Sequence, residues 1–419
     1  MIQEYFPISD ALMQIDKEVR QKVQPRFEEI EAIKEQNQLK MLRAFMDCRV
    51  ATNHLAGTTG YGYGDAGRDK LEEVFAMLTG SEAALLRHQF MSGTHTLAVA
   101  LFGVLRPGDT MLCATGRPYD TLIGVLGLDG DKGEGSLAEF GVKYQQTELV
   151  DGKPDLEAIR QKAPGCRILY LQRSRGYASR PALTLQDIQA AADAAKQANP
   201  AIAVVVDNCY GEFTQIKEPT QCGADLIIGS LIKNPGGGIA PTGGYIAGRA
   251  DLVNKCAARF TAPGVGAEIG STGEVLRQLY LGLYFAPGVT AEALKTCVYA
   301  SELFRQLGYT AKPALNDPLN DIITSVEMQT PEGLRAMCEG IQFASPIDSY
   351  VTPEPWPMPG YDDDVIMAAG AFTAGSSIEL SCDGPMRPPY MAFMQGGLNF
   401  AASRAAVMLA AQRVLDSRR

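Results

Sequence analysis

The chain has 419 residues, of which 46% are hydrophobic, 21% charged and 8% aromatic, a composition typical of globular proteins. This composition excludes a disordered chain, a collagen-like fibre and a small disulfide-bonded scaffold. The 38 Lys and Arg against 48 Asp and Glu give a net charge of −10. An acidic balance argues against a nucleic-acid-binding protein, because such proteins normally present a basic face.

The cellular setting is inferred from segments that the sequence lacks. No run approaches the roughly 20 apolar residues that span a bilayer. The first seven residues have neither the basic nor the apolar region of a secretory signal. The nine cysteines include no CxxC pair, so they are interpreted as scattered thiols of a reducing compartment. We therefore expect a cytoplasmic enzyme with a small-molecule substrate, without nucleic-acid or membrane partners.

Three regions follow one another along the chain, with roughly 150 residues per domain as the guide. Residues 1–50 are predicted to form a helical arm, because residues 9–47 are charged and rich in helix formers. The arm packs on the body of the protein or on a partner subunit, or else it is a solvated surface helix. Residues 51–285 are predicted to form a large domain, and residues 286–419 a smaller one.

The large domain alternates between short apolar runs and helical periodicity. A capping-box-like start at Asp69 and the breaker Gly80 predict a helix between them, and Thr184 opens a later helix. The strands are apolar at every position and are separated by amphipathic helices. This pattern indicates a mostly parallel sheet that is covered on both faces. The apolar runs predict strands at 83–86, 110–114, 167–171, 202–206, 225–229 and 244–247.

The last region has a different spacing of elements. Residues 290–308 and 395–417 have helical periodicity, and residues 374–380 are predicted to form a strand. This pattern indicates a small α+β domain.

One motif suggests a dinucleotide site but lacks the necessary context. The segment 62–67 matches G-x-G-x-x-G, yet the preceding residues 51–59 are polar and form no apolar strand. A dinucleotide fold requires the glycines to follow a strand and open a helix, so this interpretation is rejected. The sequence also lacks the P-loop, serine-hydrolase and zinc-protease motifs.

A carboxylate and a lysine follow two of the predicted strands. Asp207 comes directly after one strand, and Ser230 and Lys233 end a later one, before the small-residue run 234–238. Open α/β sheets bind ligands at the carboxyl ends of their strands. A lysine held there away from solvent suits a lowered pKa and Schiff-base chemistry. A surface lysine is the alternative for Lys233 alone, but Asp207 and Ser230 together favour a site.

These residues belong to five segments that resemble a known family. The segments are Thr58–Tyr63, Met91–His95, Gln172–Tyr177, Asp207–Tyr210 and Ser230–Gly237. They resemble the fold-type I pyridoxal-phosphate enzymes, within the cystathionine β/γ-lyase group and its methionine γ-lyase-like, aluminium-resistance branch. The resemblance implies an aspartate aminotransferase fold: a mostly parallel seven-stranded sheet in a three-layer α/β/α large domain, plus a smaller α+β C-terminal domain. It also implies a homotetramer of dimers with shared active sites.

The resemblance assigns roles to the residues around a bound pyridoxal 5′-phosphate. Lys233 would hold the cofactor aldehyde as a Schiff base and then shuttle protons. Asp207 would pair with the ring nitrogen and keep it protonated, which makes the ring a better electron sink. The phosphate would be held at a helix N-terminus with an additional hydroxyl. The residues for the phosphate are Ser92, Gly93, Thr94 and Ser230.

Further residues are assigned by position within the same resemblance. Tyr119 would stack on the cofactor ring, with a buried structural tyrosine as the alternative. Tyr61 and Tyr63 fall where the family places a tyrosine that reaches the neighbouring subunit's phosphate. Arg68 matches a nearby arginine, with a surface residue as its alternative. Arg387 is the candidate for the substrate α-carboxylate, because guanidinium pairs with carboxylate in a bidentate manner, with a solvated loop arginine as its alternative.

The sequence departs from the lyases at two points. Ile232 replaces the threonine of the usual Ser-Ala-Thr-Lys motif, which removes one phosphate hydroxyl. The lyases carry Glu-x-Pro-x-Asn where this chain has the segment 172–175, so Arg173 or Tyr210 is the candidate to contact the ring hydroxyl instead. Both changes leave the choice of substrate open.

Three functions are consistent with these residues. The first is a carbon–sulfur lyase that releases a thiol, ammonia and a 2-oxo acid from a sulfur-containing L-amino acid, by β- or γ-elimination. The second is an aminotransferase, which would use the same lysine, aspartate and phosphate site. The third is a cofactor-binding protein of metal tolerance with little turnover, against which the complete pair of Lys233 and Asp207 argues.

Overall fold

The structure, a computed structural model, describes residues 2–128, 134–358 and 361–418. The three predicted regions include positions that lie outside the described residues, namely 1, 129–133, 359–360 and 419. The helices are α1 (Asp10–Asp47), α2 (Ala66–Thr79), α3 (Gly93–Val104), α4 (Asp120–Leu126), α5 (Leu156–Lys162), α6 (Leu185–Ala198), α7 (Ala250–Phe260), α8 (Leu276–Gln306), α9 (Pro331–Phe343) and α10 (Phe400–Asp416). The strands are β1 (Ala83–Arg87), β2 (Thr110–Cys113), β3 (Lys143–Gln146), β4 (Leu149–Val150), β5 (Lys153–Pro154), β6 (Ile168–Gln172), β7 (Ala203–Asp207), β8 (Leu226–Ser230), β9 (Gly244–Gly248), β10 (Ala311–Lys312), β11 (Ile323–Glu327), β12 (Val365–Ala368), β13 (Ser381–Pro385) and β14 (Met391–Gln395).

The central sheet is mostly parallel, as predicted. Within the described residues it has seven strands in the order β1-β9-β8-β7-β6-β2-β3. Only β9 pairs in an antiparallel manner, with both β1 and β8. The parallel pairs are β2 with β3, β2 with β6, β6 with β7, and β7 with β8. The carboxyl ends of β6, β7 and β8 therefore meet at one edge of the sheet.

Both faces of this sheet are buried, which explains the continuous apolar runs of its strands. In β7, Val204 and Val206 belong to one core cluster, with helices α2 and α6. Ala203 and Val205 belong to the other cluster, with α3 and α7. Side chains of a strand alternate between its faces, so a strand that is covered on both faces is apolar at every position. The result is the three-layer α/β/α arrangement that was expected.

The second sheet belongs to the small domain. Among the described residues it has five strands, in the order β10-β11-β14-β13-β12, and all of its pairs are antiparallel. Its strand β13 lies directly after the segment 374–380, and the prediction of a strand over 374–380 is wrong. That segment forms turns and bends, in which the N–H of Ser376 donates to the Thr373 carbonyl and the Glu379 carboxylate accepts from the N–H groups of Phe372 and Thr373.

Two helices connect the domains. The predicted boundary at residue 285 lies inside α8, so no linker separates the domains. Leu276 and Leu283 of α8 pack in the large-domain core, and Leu294 and Leu303 pack in the small-domain core. Helix α1 is the predicted helical arm, and its buried face packs in the same two cores of its own chain. The arm is therefore part of the body of the protein.

Helix α2 begins four residues before the predicted capping box. Its N-cap is Asp65, whose Oδ1 accepts a hydrogen bond from the N–H of Arg68 at 2.9 Å. The hydroxyls of Thr58 and Thr272 donate to the other carboxylate oxygen, at 2.6 Å each. Tertiary contacts thus make Asp65 the cap in place of Asp69. The predicted end is confirmed, since Gly80 has the left-handed conformation, with φ of 65°.

The structure also describes the apolar character of the helices and the state of the cysteines. Within the described ranges, none of the helices combines the length and the apolar character that a bilayer-spanning segment needs. The nine cysteines are free thiols, and Cys222 is the only partly exposed one among them.

Helix α8 packs directly on the loop that follows Lys233. A Cβ at Gly282 would lie 2.3 Å from the carbonyl oxygen of Gly236, a distance that requires the backbone to move. We expect Gly282→Ala to lower the free energy of unfolding by about 1–3 kcal/mol. Gly288 of the same helix faces open space, so Gly288→Ala should stabilise the protein by about 0.5–1 kcal/mol. Thermal midpoints of the two variants measure this difference, and equal midpoints would contradict it.

Candidate active site

The predicted carboxylate and lysine lie at the same edge of the central sheet. Asp207 is the last residue of β7, and its neighbour in the register of β6 is Gln172. Lys233 follows the end of β8 by three residues. The N–H of Cys209 donates to Asp207 Oδ1 at 3.1 Å, which fixes the carboxylate at the strand end.

A strained turn brings an aromatic ring to the lysine. Tyr210 has a φ of +71°, a left-handed conformation that is uncommon for residues other than glycine. This conformation places its ring 4.0 Å from Lys233 Nζ, within cation–π distance. The Ser377 hydroxyl donates to the Tyr210 hydroxyl at 3.1 Å, so the small domain also contacts the site. Backbone strain of this kind persists where the surrounding structure holds it, often at functional sites.

The Arg173 side chain forms hydrogen bonds with the turn that contains Tyr210. Its Nη1 donates to Asn208 Oδ1 at 2.8 Å and to the Gly211 carbonyl at 3.0 Å, and Glu218 lies 3.8 Å away. The side chain is fully buried, and burial lowers the pKa of its guanidinium. The hydrogen bonds of its terminal nitrogens therefore go to the turn. The contact of Arg173 or Tyr210 with a ring hydroxyl remains a prediction.

The charge on Lys233 is set by its acidic neighbours. Burial lowers the pKa of its ammonium, but Cys209, Tyr210 and Asp207 raise it by more, so the pKa is above its ordinary value. The expectation of a lowered pKa is wrong for the protein chain by itself, because the site surrounds the lysine with acidic groups. A cation at this position is consequently well stabilised.

Glu212 is a buried carboxyl group that the sequence analysis missed. Its Oε1 accepts a hydrogen bond from the Tyr245 hydroxyl at 2.7 Å, and its Oε2 has no partner among the described residues. Burial raises the pKa of Glu212 from 4.5 to about 8. Its position in the strained turn after β7 could have suggested a role, but a single glutamate carries no pattern of its own.

The raised pKa predicts a pH dependence of stability. Between pH 4.5 and about 8, the folded state holds a proton at Glu212 that the unfolded state has lost, so stability falls as the pH rises. In the wild type, the free energy of unfolding should fall by on the order of a few kcal/mol between these pH values. We expect this fall to be absent in Glu212→Gln, because glutamine resembles the protonated carboxyl. Thermal midpoints measured at pH 5 and pH 8.5 test this. The exposed control Glu157→Gln should keep the wild-type pH dependence, and an unchanged dependence in Glu212→Gln would contradict the prediction.

The start of α3 has the features of an anion site. Ser92 is the N-cap, and its hydroxyl accepts from the N–H of His95 at 3.1 Å. The N–H groups of Gly93 and Thr94 begin the helix, where no intrahelical acceptor exists. A Cβ at Gly93 would lie 3.6 Å from the Cβ of Ser230, so the helix start and the end of β8 line one space. The Ser230 hydroxyl is buried and has no hydrogen-bond partner among the described residues.

The hydroxyls of two predicted phosphate residues already have partners. The Ser92 hydroxyl acts in capping, and the Thr94 hydroxyl is 2.7 Å from the Thr121 hydroxyl. An anion at this helix start would therefore be held mainly by main-chain N–H groups and by the hydroxyl of Ser230.

Tyr119 belongs to an aromatic group between the two domains. Its hydroxyl is 2.5 Å from the hydroxyl of Tyr361, and its ring centroid is 6.0 Å from that of Tyr177. Its N–H donates to Gln172 Oε1 at 2.8 Å, which ties it to the strand beside Asp207. Tyr177 received no role from the sequence although it lies in a segment of the resemblance, and Tyr361 belongs to the small domain, which meets the site only in the folded protein.

Asp383 extends this group toward the small domain. Its Oδ2 accepts from Gln395 Nε2 at 3.2 Å, and its Oδ1 has no partner among the described residues. Burial raises the pKa of Asp383 from 3.8 to about 6. No sequence motif marks this residue, which lies within a strand of ordinary composition.

Tyr61 and Tyr63 lie on an exposed loop. Their side chains are 78% and 65% exposed, and their ring centroids are 6.2 Å apart. Neither of them makes a hydrogen bond or ring contact with Lys233 or Asp207 within the described chain. Their part in an active site thus remains a prediction that involves a second subunit.

Arg68 anchors this tyrosine loop. Its guanidinium donates to the carbonyls of Gly62 at 2.8 Å and of Gly270 at 3.1 Å, and to Asp69 at 2.8 Å. The side chain is buried. Within this chain these contacts use its donors to position the loop, and its contact with a cofactor remains a prediction.

Arg387 lies on the small-domain loop after β13. It pairs with Asp363 at 2.7 Å, and its side chain is 51% exposed. It lines a cavity of about 380 Å³ beside Tyr119. The structure thus places it near the site and with an existing acidic partner, and its contact with a substrate carboxylate remains a prediction.

Comparison with known proteins identifies the family of this chain. The sequence profile of the methionine gamma-lyase family matches residues 12–415. The chain belongs to the methionine gamma-lyase family. The uncharacterized protein YnbB of Bacillus subtilis is 46% identical over 390 residues, which cover 93% of each chain. The L-methionine gamma-lyase of Pseudomonas putida is 31% identical over 186 residues, 44% of this chain and 41% of that protein.

Solved structures extend the comparison to the fold. A carbon-sulfur lyase involved in aluminum resistance from Clostridium novyi has a TM-score of 0.94 and 46% identity, and the match covers 97% of this chain and 96% of that one. The pyridoxal-5′-phosphate-dependent protein YhfS of Escherichia coli has a TM-score of 0.63 at 16% identity, covering 92% of this chain and 97% of that one. The expected fold-type I architecture is therefore confirmed. In this family member, the sheet edge with Asp207 and Lys233 is the candidate active site.

Proposed function

We propose that this protein is a pyridoxal-phosphate-dependent carbon–sulfur lyase that acts on a sulfur-containing L-amino acid. The observation that carries the proposal is the position of Lys233 at the carboxyl edge of the sheet, 4.0 Å from the Tyr210 ring and beside Asp207. Membership of the methionine gamma-lyase family supports the carbon–sulfur lyase class.

The residues of the site fit the proposed cofactor. A phosphate requires donors in an electropositive place, and the start of α3 provides free N–H groups beside the unpartnered hydroxyl of Ser230. An aromatic ring nitrogen requires an acid, which Asp207 supplies from the end of β7. An aldehyde requires an amine, and Lys233 supplies it from the loop after β8.

When bound, pyridoxal phosphate supplies an electron sink for the negative charge that forms at the substrate Cα. The residues of the chain then hold and move protons. The Asp207 carboxylate holds a proton on the ring nitrogen, and the Lys233 amine takes the Cα proton and returns protons to the product. Tyr210 positions Lys233 through its ring, and its hydroxyl would contact the ring oxygen of the cofactor. The overall reaction consumes one water and releases a thiol, ammonia and a 2-oxo acid.

The proposal includes an assembly with shared active sites. The exposure of Tyr61 and Tyr63, and the buried Arg68 that fixes their loop, support a loop that contacts a second subunit. Resemblance to the lyase group favours a homotetramer built from such dimers. Light scattering on the purified protein measures the assembly.

Product analysis tests the reaction. Ammonia, 2-oxo acid and thiol are measured from a panel of L-sulfur amino acids, with 2-oxoglutarate added to half of the samples. We expect all three products without the acceptor, and the carbon count of the oxo acid distinguishes β- from γ-elimination. Oxo acid that forms only with 2-oxoglutarate would instead show an aminotransferase. Absence of all products in a yellow, borohydride-sensitive sample would contradict the proposed substrate class.

A further inference from the structure

A cavity of about 380 Å³ lies next to the candidate active site. Gln172 lines it, and Gln172 is the register neighbour of Asp207 on the adjacent strand. Neighbouring strands lie about 4.8 Å apart, so the cavity begins one strand away from the proposed ring nitrogen contact. Tyr119 forms part of the wall. The cavity is lined by four arginines and two acidic residues: Arg117, Arg175, Arg180, Arg387, Asp120 and Glu148.

Arg180 is the unusual group in this lining. Its guanidinium donates to the main-chain carbonyls of Pro181, Gln172 and Ser174. A guanidinium has five N–H donors, so three are used and two remain. Among the described residues, no carboxylate lies within 4.0 Å of it. Burial lowers the pKa of Arg180 to about 10.

The nearby carboxylate of Asp321 already pairs with a neighbouring arginine. Arg175 is buried and pairs with Asp321 at 3.3 Å, and it also donates to Ser325 at 3.3 Å. The charge of Asp321 raises the pKa of Arg180, and the charge of Arg175 lowers it. Asp321 therefore pairs with Arg175 and acts on Arg180 only through its charge. The Arg180 side chain is partly withdrawn from water, and charges in such positions are normally paired, so an anionic ligand would supply the partner.

We propose that this cavity is an anion subsite, in which Arg180 binds a carboxylate or a comparable anionic group at the end of the substrate side chain. The inference rests on the proposed function and narrows it to amino acids whose sulfur substituent is acidic. Arg175 adds positive charge beside Arg180, and Tyr119, the candidate to stack on the cofactor ring, lines the same cavity. Charge-assisted pairing of guanidinium with carboxylate is the chemistry that would select such substrates.

Binding of two matched probes tests the subsite without turnover. L-2-Aminoadipate and its 6-amide have the same shape, carry no sulfur leaving group, and differ only in the terminal charge. Their dissociation constants are measured on the holoenzyme by calorimetry and by cofactor absorbance. In the wild-type protein we expect the diacid to bind at least about tenfold more tightly than the amide. Equal affinities would overturn the proposal without the need for any variant.

Variants of Arg180 assign the preference to this residue. Arg180→Gln should bring the ratio of the two dissociation constants close to one and leave the constant of the amide unchanged. Arg180→Lys keeps the charge and should keep most of the preference. The exposed control Arg160→Gln, on α5, should match the wild type. Equal weakening of both probes by Arg180→Gln would overturn the proposal, since the arginine would then act on the α-carboxylate or on the loop alone.

The outcomes separate this inference from the proposed function. If the protein prefers the diacid but forms no elimination products from any sulfur amino acid, the proposed anion subsite is supported and the proposed lyase activity is rejected. Elimination from neutral sulfur amino acids, with equal binding of the two probes, would leave the lyase and reject the subsite.

Discussion

Replacement of Lys233 by alanine is expected to abolish borohydride-trappable cofactor and to lower elimination on the order of 10³-fold or more, because the variant lacks both the amine and the proton carrier. The measurement is the retention of cofactor absorbance after borohydride treatment and denaturation. Trapped cofactor in the variant would exclude Lys233 as the attachment residue.

Two further lysine variants make this test specific. Lys233→Arg keeps a cation beside Asp207 and Tyr210 but has no amine that forms a Schiff base, so it should fold and fail to trap. Lys196→Ala is the matched control. Lys196 pairs with Asp225 at 3.0 Å, and Asp225 precedes the first residue of β8, at the opposite end of that strand from the site. The control should trap cofactor as the wild type does.

Replacement of Asp207 is expected to have the second largest effect. Asp207→Ala should still bind the cofactor but lose turnover by about 10²-fold or more, since the ring nitrogen would no longer be held protonated by a carboxylate. Steady-state rates and the absorbance of the bound cofactor measure the two parts of this result. Near-normal rates would show that another group holds the ring nitrogen.

Asp207→Asn distinguishes the charge from the local structure. The asparagine oxygen can still accept the hydrogen bond from Cys209 N–H that fixes the strand end at 3.1 Å. We therefore expect normal stability together with low turnover. Loss of folding in the asparagine variant would instead indicate that the charge of Asp207 is needed to stabilise the charge of Lys233.

Several elements could be predicted because their signals are local. The strand that ends at Asp207 is apolar at every position, and Gly80 ends a helix through its own left-handed conformation. Lys233 and Asp207 were found because each follows such a strand, and parallel strands bring their carboxyl ends together. The fold class and this pair of residues follow from short-range patterns alone.

Other residues of the site could not be predicted in this way. Tyr361 and Asp383 come from the small domain, more than a hundred residues from Lys233 in sequence, and each is an ordinary residue in its own segment. Arg173 and Arg68 were assigned by position in a motif, whereas the folded chain uses their donors for main-chain carbonyls and turns. A hydrogen-bonding partner that is distant in sequence leaves no local pattern.

The sequence by itself determined the alternation of strands and helices, the candidate lysine and carboxylate, and the family to which they point. The tertiary structure alone decided the cap of α2, the continuity of α8 through both domains, the raised pKa of Glu212 and the lowered pKa of Arg180. The physical reason is the range of the interactions. Periodicity and turn chemistry act between neighbours in the chain, whereas burial, ion pairing and cavity shape depend on segments that meet only after folding.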